Sequence, residues 1–509
     1  MKSFDIIIVG AGHNGLTAAA YLAKSGLSVL LIERRPLVGG AAVTEALHPG
    51  YRFSRGSYLP HLREEIIKEL KLDTFGYKQH LIDPKGFYPF ENGKFLFFYN
   101  DPHKTSKEIE KFSKRDAKQY LKFREKCRLL SETIDPLILS PPPSLSSLLT
   151  LLEGDQMDDI IRQFLLTSVS SLVNELFESE ELKTALCLNS VGNTSLGPDS
   201  VGTSYLLALS EGGLGYCVAQ GGTGAVSAAL EKAAVSFGAK ILTDKQVKRI
   251  TIEDDRVKGV ELESGEVIEA SKVISNADPK TTILKLTGRE YFETDFIKKV
   301  ENISNMGSQT KINIAVKGLP QFRCVNSGTK GPQHLAYTSI ADSVETLRKA
   351  HAYSTMGQIP EKFPIYSFMQ SGWDETVAPR GCNTLSILLR YTPYRLSGSN
   401  WDEKRIELGE RFLSAFENYV VDFKKSIEFM EILTPWDVEQ LFGMNQGHVS
   451  HIEQSLDQLL SFRPIIGWSH YRLPVDGLYL CGAGTHPGGG VMGAAGHNAA
   501  MVVQEDLKK

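Results

Sequence analysis

The chain has 509 residues, of which 42% are hydrophobic and 23% charged, with a formal net charge of −4. That length exceeds one simple core and suits two joined domains. Acids and bases are mixed along it, which argues against a nucleic-acid partner. Six scattered cysteines form no C-x-x-C pair. Neither a redox dithiol nor a zinc centre is expected, and free thiols in a reducing compartment is the plain reading. No secretory-type segment opens the chain and no stretch approaches a membrane span, so the expected location is cytoplasmic, with peripheral membrane contact left open.

A short β-branched run at 5–9 predicts a buried parallel strand. Gly10, Gly12 and Gly15 follow as G-x-G-x-x-G, enclosing His13 and Asn14, and Leu16, Ala19, Ala20 and Ala23 recur at helical spacing. Gly26 stops that helix, 28–32 is a second strand, and Glu33 ends it. Strand, glycines, helix, strand and acid in this order predict a dinucleotide site. The glycines allow a tight turn, close approach of pyrophosphate and close helix packing; the helix N-terminus attracts phosphate, and Glu33 accepts from the ribose. A second glycine pair, Gly39-Gly40, flanked by Arg34 and by Ala41 and Ala42, suits FAD better than NAD, because the longer cofactor needs a further close backbone approach.

Further along, a hairpin is expected over 87–99 around Asn92-Gly93, a helix over 106–131, and two or three helices between 145 and 177. The apolar stripe of those last helices reads as core or, less simply, as a wall for a lipid-like substrate or a face touching membrane. From Gln220 a glycine turn opens a helix at 225–237; strands follow at 240–242, 247–253 and 257–262, and "KVISNA" is another buried strand. Nucleotide-domain material thus returns after an insertion. Runs such as "KINIAVKGLPQF" and "TLSILLRYTPY" suit a second sheet under a substrate. The expected division is a nucleotide domain at 1–80, 216–287 and 446–509, a helical insertion at 81–215, and a substrate domain at 288–445.

Near the C-terminal end lies "GAGTHPGGGVMGAAGHNAA". It reads as a glycine backbone pressed against the ring end of the cofactor, followed by a helix aimed at it. His448 and His451 lack a carboxylate or cysteine that would complete a metal set, so no metal is expected. His486 is read first as a loop-orienting residue, and Asp437 and Glu439 as helix N-terminal acids. No catalytic residue is assigned.

"VGAGHNGLTAAAYLAKSG", "ERRPLVGGAAVTE", "QGGTGAVSAALEKAA", "VISNADP" and "GLYLCGAGTHPGGGVMGAAGHNAA" together resemble the FAD-containing amine-oxidase superfamily. Within it they look nearest to phytoene desaturases and carotenoid isomerases, and nearer still to the branch that includes pyridine nucleotide-disulfide oxidoreductase domain-containing protein two. The resemblance implies an α/β fold: a Rossmann-like, glutathione-reductase-type FAD-binding domain with an inserted mixed α+β substrate domain. It implies FAD held by Gly10, Gly12, His13, Asn14, Gly15, Glu33, Arg34, Gly39, Gly40, Ala41, Ala42, the backbone at Val247, and, from the C-terminal segment, Gly482, Ala483, Gly489, Gly490, Val491, Met492 and Ala495. Many relatives carry arginine directly after the glycine pair; here Ala41 stands there, and Arg34, Arg35, Arg52, Arg55 or the helix dipole alone must serve the phosphates. The implied activity is hydride transfer from an apolar, isoprenoid- or lipid-like substrate to flavin, with dioxygen or a quinone as electron acceptor, since no second nucleotide fingerprint provides for NAD(P)H. A flavin-dependent isomerase or saturase, and a non-enzymatic flavoprotein that recruits a partner, are the alternatives; oligomeric state is unassigned.

Overall fold

The computed structural model describes residues 3–151, 155–213, 215–325 and 328–508. Its first sheet is built around the strand Ser3–Val9, which pairs in parallel with Val29–Ile32 on one side and Val267–Ser275 on the other. Lys240–Leu242 extends one edge in parallel, and Leu478–Leu480 joins the far end of Val267–Ser275. The antiparallel pair Val247–Glu253 and Arg256–Leu262 completes the sheet, turning through Asp254 and Asp255, both left-handed. Ile6, Ile7 and Ile8 are all fully buried. Both faces of the strand are covered, which is why its sequence does not alternate.

Three helices cover one face: His13–Lys24, Gly224–Ser236 and Ala494–Asp506. Their contact surfaces are alanine and glycine, so the helix axes come close. A Cβ on Gly496 would lie 2.1 Å from the carbonyl oxygen of Asn14, so the first and last helices touch backbone to backbone.

The second sheet runs in the order Ile427–Leu433, Gln309–Lys317, Cys382–Arg390, Ile365–Met369, Tyr337–Ile340, Gly86–Pro89, Phe95–Phe98. It is antiparallel except where Tyr337–Ile340 meets Gly86–Pro89. The hairpin at 87–99 is present, with Gly93 left-handed in its turn. The single helix expected over 106–131 is two, Pro102–Glu110 and Lys114–Ile134. Ser113 breaks it by taking an extended conformation and accepting from the N–H of Asp116 at 3.1 Å, a side-chain cap that competes with continued helix. Between 145 and 177 lie the α-helices Leu145–Leu151, Asp155–Ile160 and Val169–Leu176. Leu172 and Val173 are core, whereas Leu166 is 66% exposed.

Helix Thr203–Gly212 is fixed to the second sheet by a buried ionic cluster. Glu211 accepts from Lys85 at 3.1 Å, Tyr120 at 3.0 Å and Asn189 at 2.8 Å. Asn189 thereby reaches the cavity between the two sheets from the helix Glu180–Val191.

Candidate functional site

A cavity of about 500 Å³ lies between the two sheets. One end is made of backbone. The strand Ser3–Val9 stops at Gly10, whose φ of +95° is open to glycine at little cost, and the chain enters the helix at Gly12. Gly12 caps that helix with no side-chain bond and no acid follows in the first turn, so the N–H groups there are available to an anion. A Cβ on Gly15 would sit 2.3 Å from the carbonyl oxygen of Gly10; this glycine serves close packing and does not line the cavity. Glu33 is buried at the end of the second strand. Its two oxygens accept from the N–H of Ala11 at 2.8 Å and of Arg35 at 2.9 Å, which aims the carboxylate into the cavity.

Gly39 and Gly40 lie directly against the first glycine turn. Gly39 donates to the carbonyl of Ala11 at 2.7 Å, and a Cβ on Gly40 would lie 3.2 Å from the Cα of Gly12. Gly10, Gly12, His13, Asn14, Glu33, Arg34, Gly39, Gly40, Ala41, Ala42 and Val247 all line the cavity. From the C-terminal segment, Ala483, Gly489, Gly490, Val491 and Met492 line it too. Gly482 and Ala495 do not. A Cβ on Gly482 would meet the carbonyl oxygen of Asn276 at 2.8 Å and the His451 ring at 2.9 Å, so this glycine makes room for protein. Ala495 is buried within the last helix.

The arginines considered for phosphate are otherwise engaged. Arg34 donates to the carbonyls of Gln440 and Leu441 at the end of the helix Pro435–Phe442, a favourable place for a cation. Arg35 pairs with Glu45 at 3.0 Å, and Arg55 bridges Glu45 and Glu431 at 3.0 and 2.7 Å. Arg52 is exposed outside the cavity.

Arg463, fully buried, holds the C-terminal segment in place. Its guanidinium donates to the carbonyls of Ser450, Ile452, Glu453, Gln458, Ala483 and Thr485. No motif marks this residue in the sequence; its role is visible only once 450–458 and 482–485 are side by side. Glu453 accepts from Thr194 at 2.6 Å and faces His448 at 3.5 Å; although burial opposes it, the His448 ring and the Thr194 hydroxyl hold its carboxyl down at about 2. His448 is thus turned to Glu453. His486 contacts the carbonyl of Leu137 at 2.9 Å, away from the cavity, in keeping with a loop-orienting role. Asp437 and Thr434 form a capping box on Pro435–Phe442. Among the described residues no cluster suited to a metal ion occurs.

The other end of the cavity is made of side chains from distant parts of the chain: Tyr58 and Tyr216 from loops, Leu188 and Asn189 from the helix Glu180–Val191, and Lys311, Tyr337, Tyr366 and Leu388 from the second sheet. The Tyr58 and Tyr337 hydroxyls are 2.5 Å apart with stacked rings, and Tyr337 stacks in turn on Tyr366. Lys311 stands 4.8 Å above the Tyr58 ring, 2% exposed, and its Nζ has no hydrogen-bond partner. Burial pushes its ammonium down to about 7, against a weaker upward pull from Glu431. Lys311 and the tyrosines carry no mark in the sequence beyond a lysine in the otherwise apolar strand "KINIAV".

This arrangement accepts a dinucleotide. A free helix N-terminus, a buried carboxylate and two glycine turns in contact form its polar half, and four lining side chains hold shielded polar atoms without protein partners: His13 Nε2, Asn14 Oδ1, Lys311 Nζ and His451 Nδ1. Such atoms are costly unless a ligand meets them.

Known proteins point the same way. The family described as flavin containing amine oxidoreductase matches residues 15–369. Pyridine nucleotide-disulfide oxidoreductase domain-containing protein 2 of Rattus norvegicus is 38% identical, over 99% of this chain and 94% of its own. A limonene dehydrogenase component of Castellaniella defragrans is 27% identical, over 100% and 95%. Cyclohexylamine oxidase of Brevibacterium oxydans shares the fold at a TM-score of 0.60 and 18% identity, covering 99% of this chain and 100% of that one.

Proposed function

The chain belongs to the flavin containing amine oxidoreductase family as an FAD-dependent oxidoreductase, and from that premise we propose that it takes a hydride from a C–H bond of a compact, apolar-bodied substrate, with dioxygen or a quinone as final acceptor. FAD, when bound, supplies the hydride-accepting ring. Gly10, Gly12, the helix N-terminus and Glu33 would hold its adenosine and diphosphate. Gly489, Gly490, Val491 and Met492 would hold its ring end.

One observation carries the reading of the substrate: the far end of the cavity is a wall of phenols with no carboxylate. Among the described lining residues Glu33 is the one acid, and it lies at the nucleotide end. A polyamine would find no counter-ion there and would face Lys311, which carries a proton below about pH 7. A neutral ring would find flat aromatic surface on Tyr58, Tyr337 and Tyr366, with Leu188 and Leu388 beside them. Such a short flat wall suits a compact substrate. The name of the Castellaniella relative, which refers to limonene, a compact hydrocarbon, agrees.

The residues of this end act on binding and on protons. The tyrosine stack excludes water and orients the substrate, and Lys311 Nζ can hold or release a proton near neutral pH. The glycine turn after Gln220 is used in packing: Cβ atoms on Gly222 and Gly224 would meet Thr44 at 2.3 and 2.5 Å. This supports a diffusible acceptor over NAD(P)H. Anaerobic mixing of the FAD-loaded protein with cyclic monoterpenes and with diamines tests the reading. Terpene-type substrates are expected to bleach the flavin and diamines to leave it oxidised; the reverse pattern sinks the proposal.

A further inference from the structure

The diphosphate of FAD brings negative charge to a place where the chain provides no free arginine. Arg34, Arg35 and Arg55 are spent on carbonyls and carboxylates, and Ala41 follows the glycine pair. Three imidazoles line the cavity; His61 lies at the other end, against Tyr216 and beside Gly490, where burial pushes it down to about 4, which leaves His13 and His451. His13 is the first residue of the helix that Gly12 caps, and His451 lies across the cavity beside Gly482. Both line the cavity, and each has a shielded ring nitrogen with no protein partner, Nε2 in His13 and Nδ1 in His451. Asn276 lies between them: a Cβ on Gly12, next to His13, would be 2.6 Å from the Asn276 Nδ2, and a Cβ on Gly482 would be 2.8 Å from the Asn276 carbonyl oxygen and 2.9 Å from the His451 ring.

We propose that His13 and His451 are the pair that meets the diphosphate of the bound dinucleotide, donating from those two nitrogens, and that binding draws protons onto them. This rests on the placement of FAD in this cavity. In the protein alone both rings are held neutral: burial pushes His13 down to about 4, and burial with the nearby Arg463, His13 and His448 pushes His451 down to about 3. Arg463 is committed to carbonyls, and His448 faces Glu453, so neither can leave to meet the ligand. Glu33, Arg34, Arg35 and Lys245 are the other charged groups lining the cavity besides Lys311, which lies at the tyrosine end. One anionic charge at roughly 4 Å, at the effective dielectric of a partly buried site, raises an imidazole's titration by about 3 pH units. That brings His13 to near neutrality on binding. The bound state then holds more protons than the free state from about pH 4 to about pH 7, so affinity falls as pH rises across that window.

Calorimetric titration of the flavin-free protein with FAD and with ADP-ribose at about pH 6, in buffers of different ionisation heat, counts the protons; both ligands carry a diphosphate diester that does not itself titrate there. Adenosine, which has the ribose but no phosphate, is the control that subtracts Glu33 and the ribose. The expected result is uptake of at least about half a proton with FAD and ADP-ribose and near none with adenosine, and a Kd for FAD that rises at least about 10-fold from pH 5.5 to 7.5. His13→Asn and His451→Asn should each lower the uptake and together flatten the pH profile. FAD binding with no proton uptake and a flat profile overturns the pairing and leaves the cofactor site standing. Failure of FAD and ADP-ribose to bind at all overturns both. Should a variant not fold by circular dichroism, the proton count on the unaltered protein decides alone.

Discussion

The two ends of the cavity are built by opposite means. The nucleotide end is backbone: glycine turns, free N–H groups and one carboxylate held by two N–H donors. The tyrosine end is side chain: phenols, amides and one lysine without a hydrogen-bond partner, carried on strands and helices far apart in the chain. Backbone recognition tolerates almost no change of shape but takes any cofactor with the right phosphates. Side-chain recognition tolerates substitution and sets what is oxidised.

This contrast orders the expected effects of mutation. Gly15→Val places atoms where a Cβ alone would already be 2.3 Å from the Gly10 carbonyl oxygen, and should abolish flavin retention, read as the flavin-to-protein ratio after purification. Retained flavin in that variant would show the turn to be softer than its geometry. Lys311→Met should keep flavin but lower turnover about 100-fold, the scale of a lost proton-transfer group. Turnover unchanged by this substitution would remove the lysine from the chemistry. Glu33→Ala leaves two N–H groups without their acceptor, a cost of about 1–3 kcal/mol, and should weaken FAD binding about 10- to 100-fold by fluorescence titration. Tyr337→Phe removes one hydroxyl contact and keeps the ring, so kcat/KM should change only several-fold.

The lysine also gives the tyrosine end a pH signature, in a higher range than that of the two histidines at the nucleotide end. Lys311 titrates at about 7 in the fold against 10.5 as a free side chain. Between those values the unfolded chain binds more protons, so stability rises with pH across that window and the burden is greatest below it. Lys311→Met should lose this slope in denaturant titrations run from about pH 6 to 10; an unchanged slope would assign it to another group.

The same contrast explains what could be read beforehand. The turn at Gly10–Gly15, Glu33 and the glycine pair are legible because a local backbone shape demands particular residues at fixed spacing. The hairpin at Asn92-Gly93 is legible for the same reason. The tyrosine end is not: Lys311, Tyr337 and Tyr366 come together only through the second sheet, Tyr58 reaches them from a loop, and a tyrosine in a strand or loop is ordinary. The C-terminal glycines lie between these cases. Their number signals close approach but not to what: Gly489 and Gly490 line the cavity, whereas Gly482 and Gly496 admit protein. Ser113 is equally mute, since a serine within a charged helical pattern can cap a new helix as readily as continue an old one.

The contact between His13–Lys24 and Ala494–Asp506 sets a clock on biosynthesis. Residues 24 and 494 are 470 positions apart, and a ribosome adding about 5–20 residues per second takes roughly half a minute to a minute and a half between them. Until residue 236 the alanines of the first helix, all buried in the finished protein, lack both covering helices, and from there to residue 494 they still lack one. The first helix thus leaves the ribosome long before the helix that closes over it, and the cofactor cavity cannot be complete until the C-terminal segment has followed.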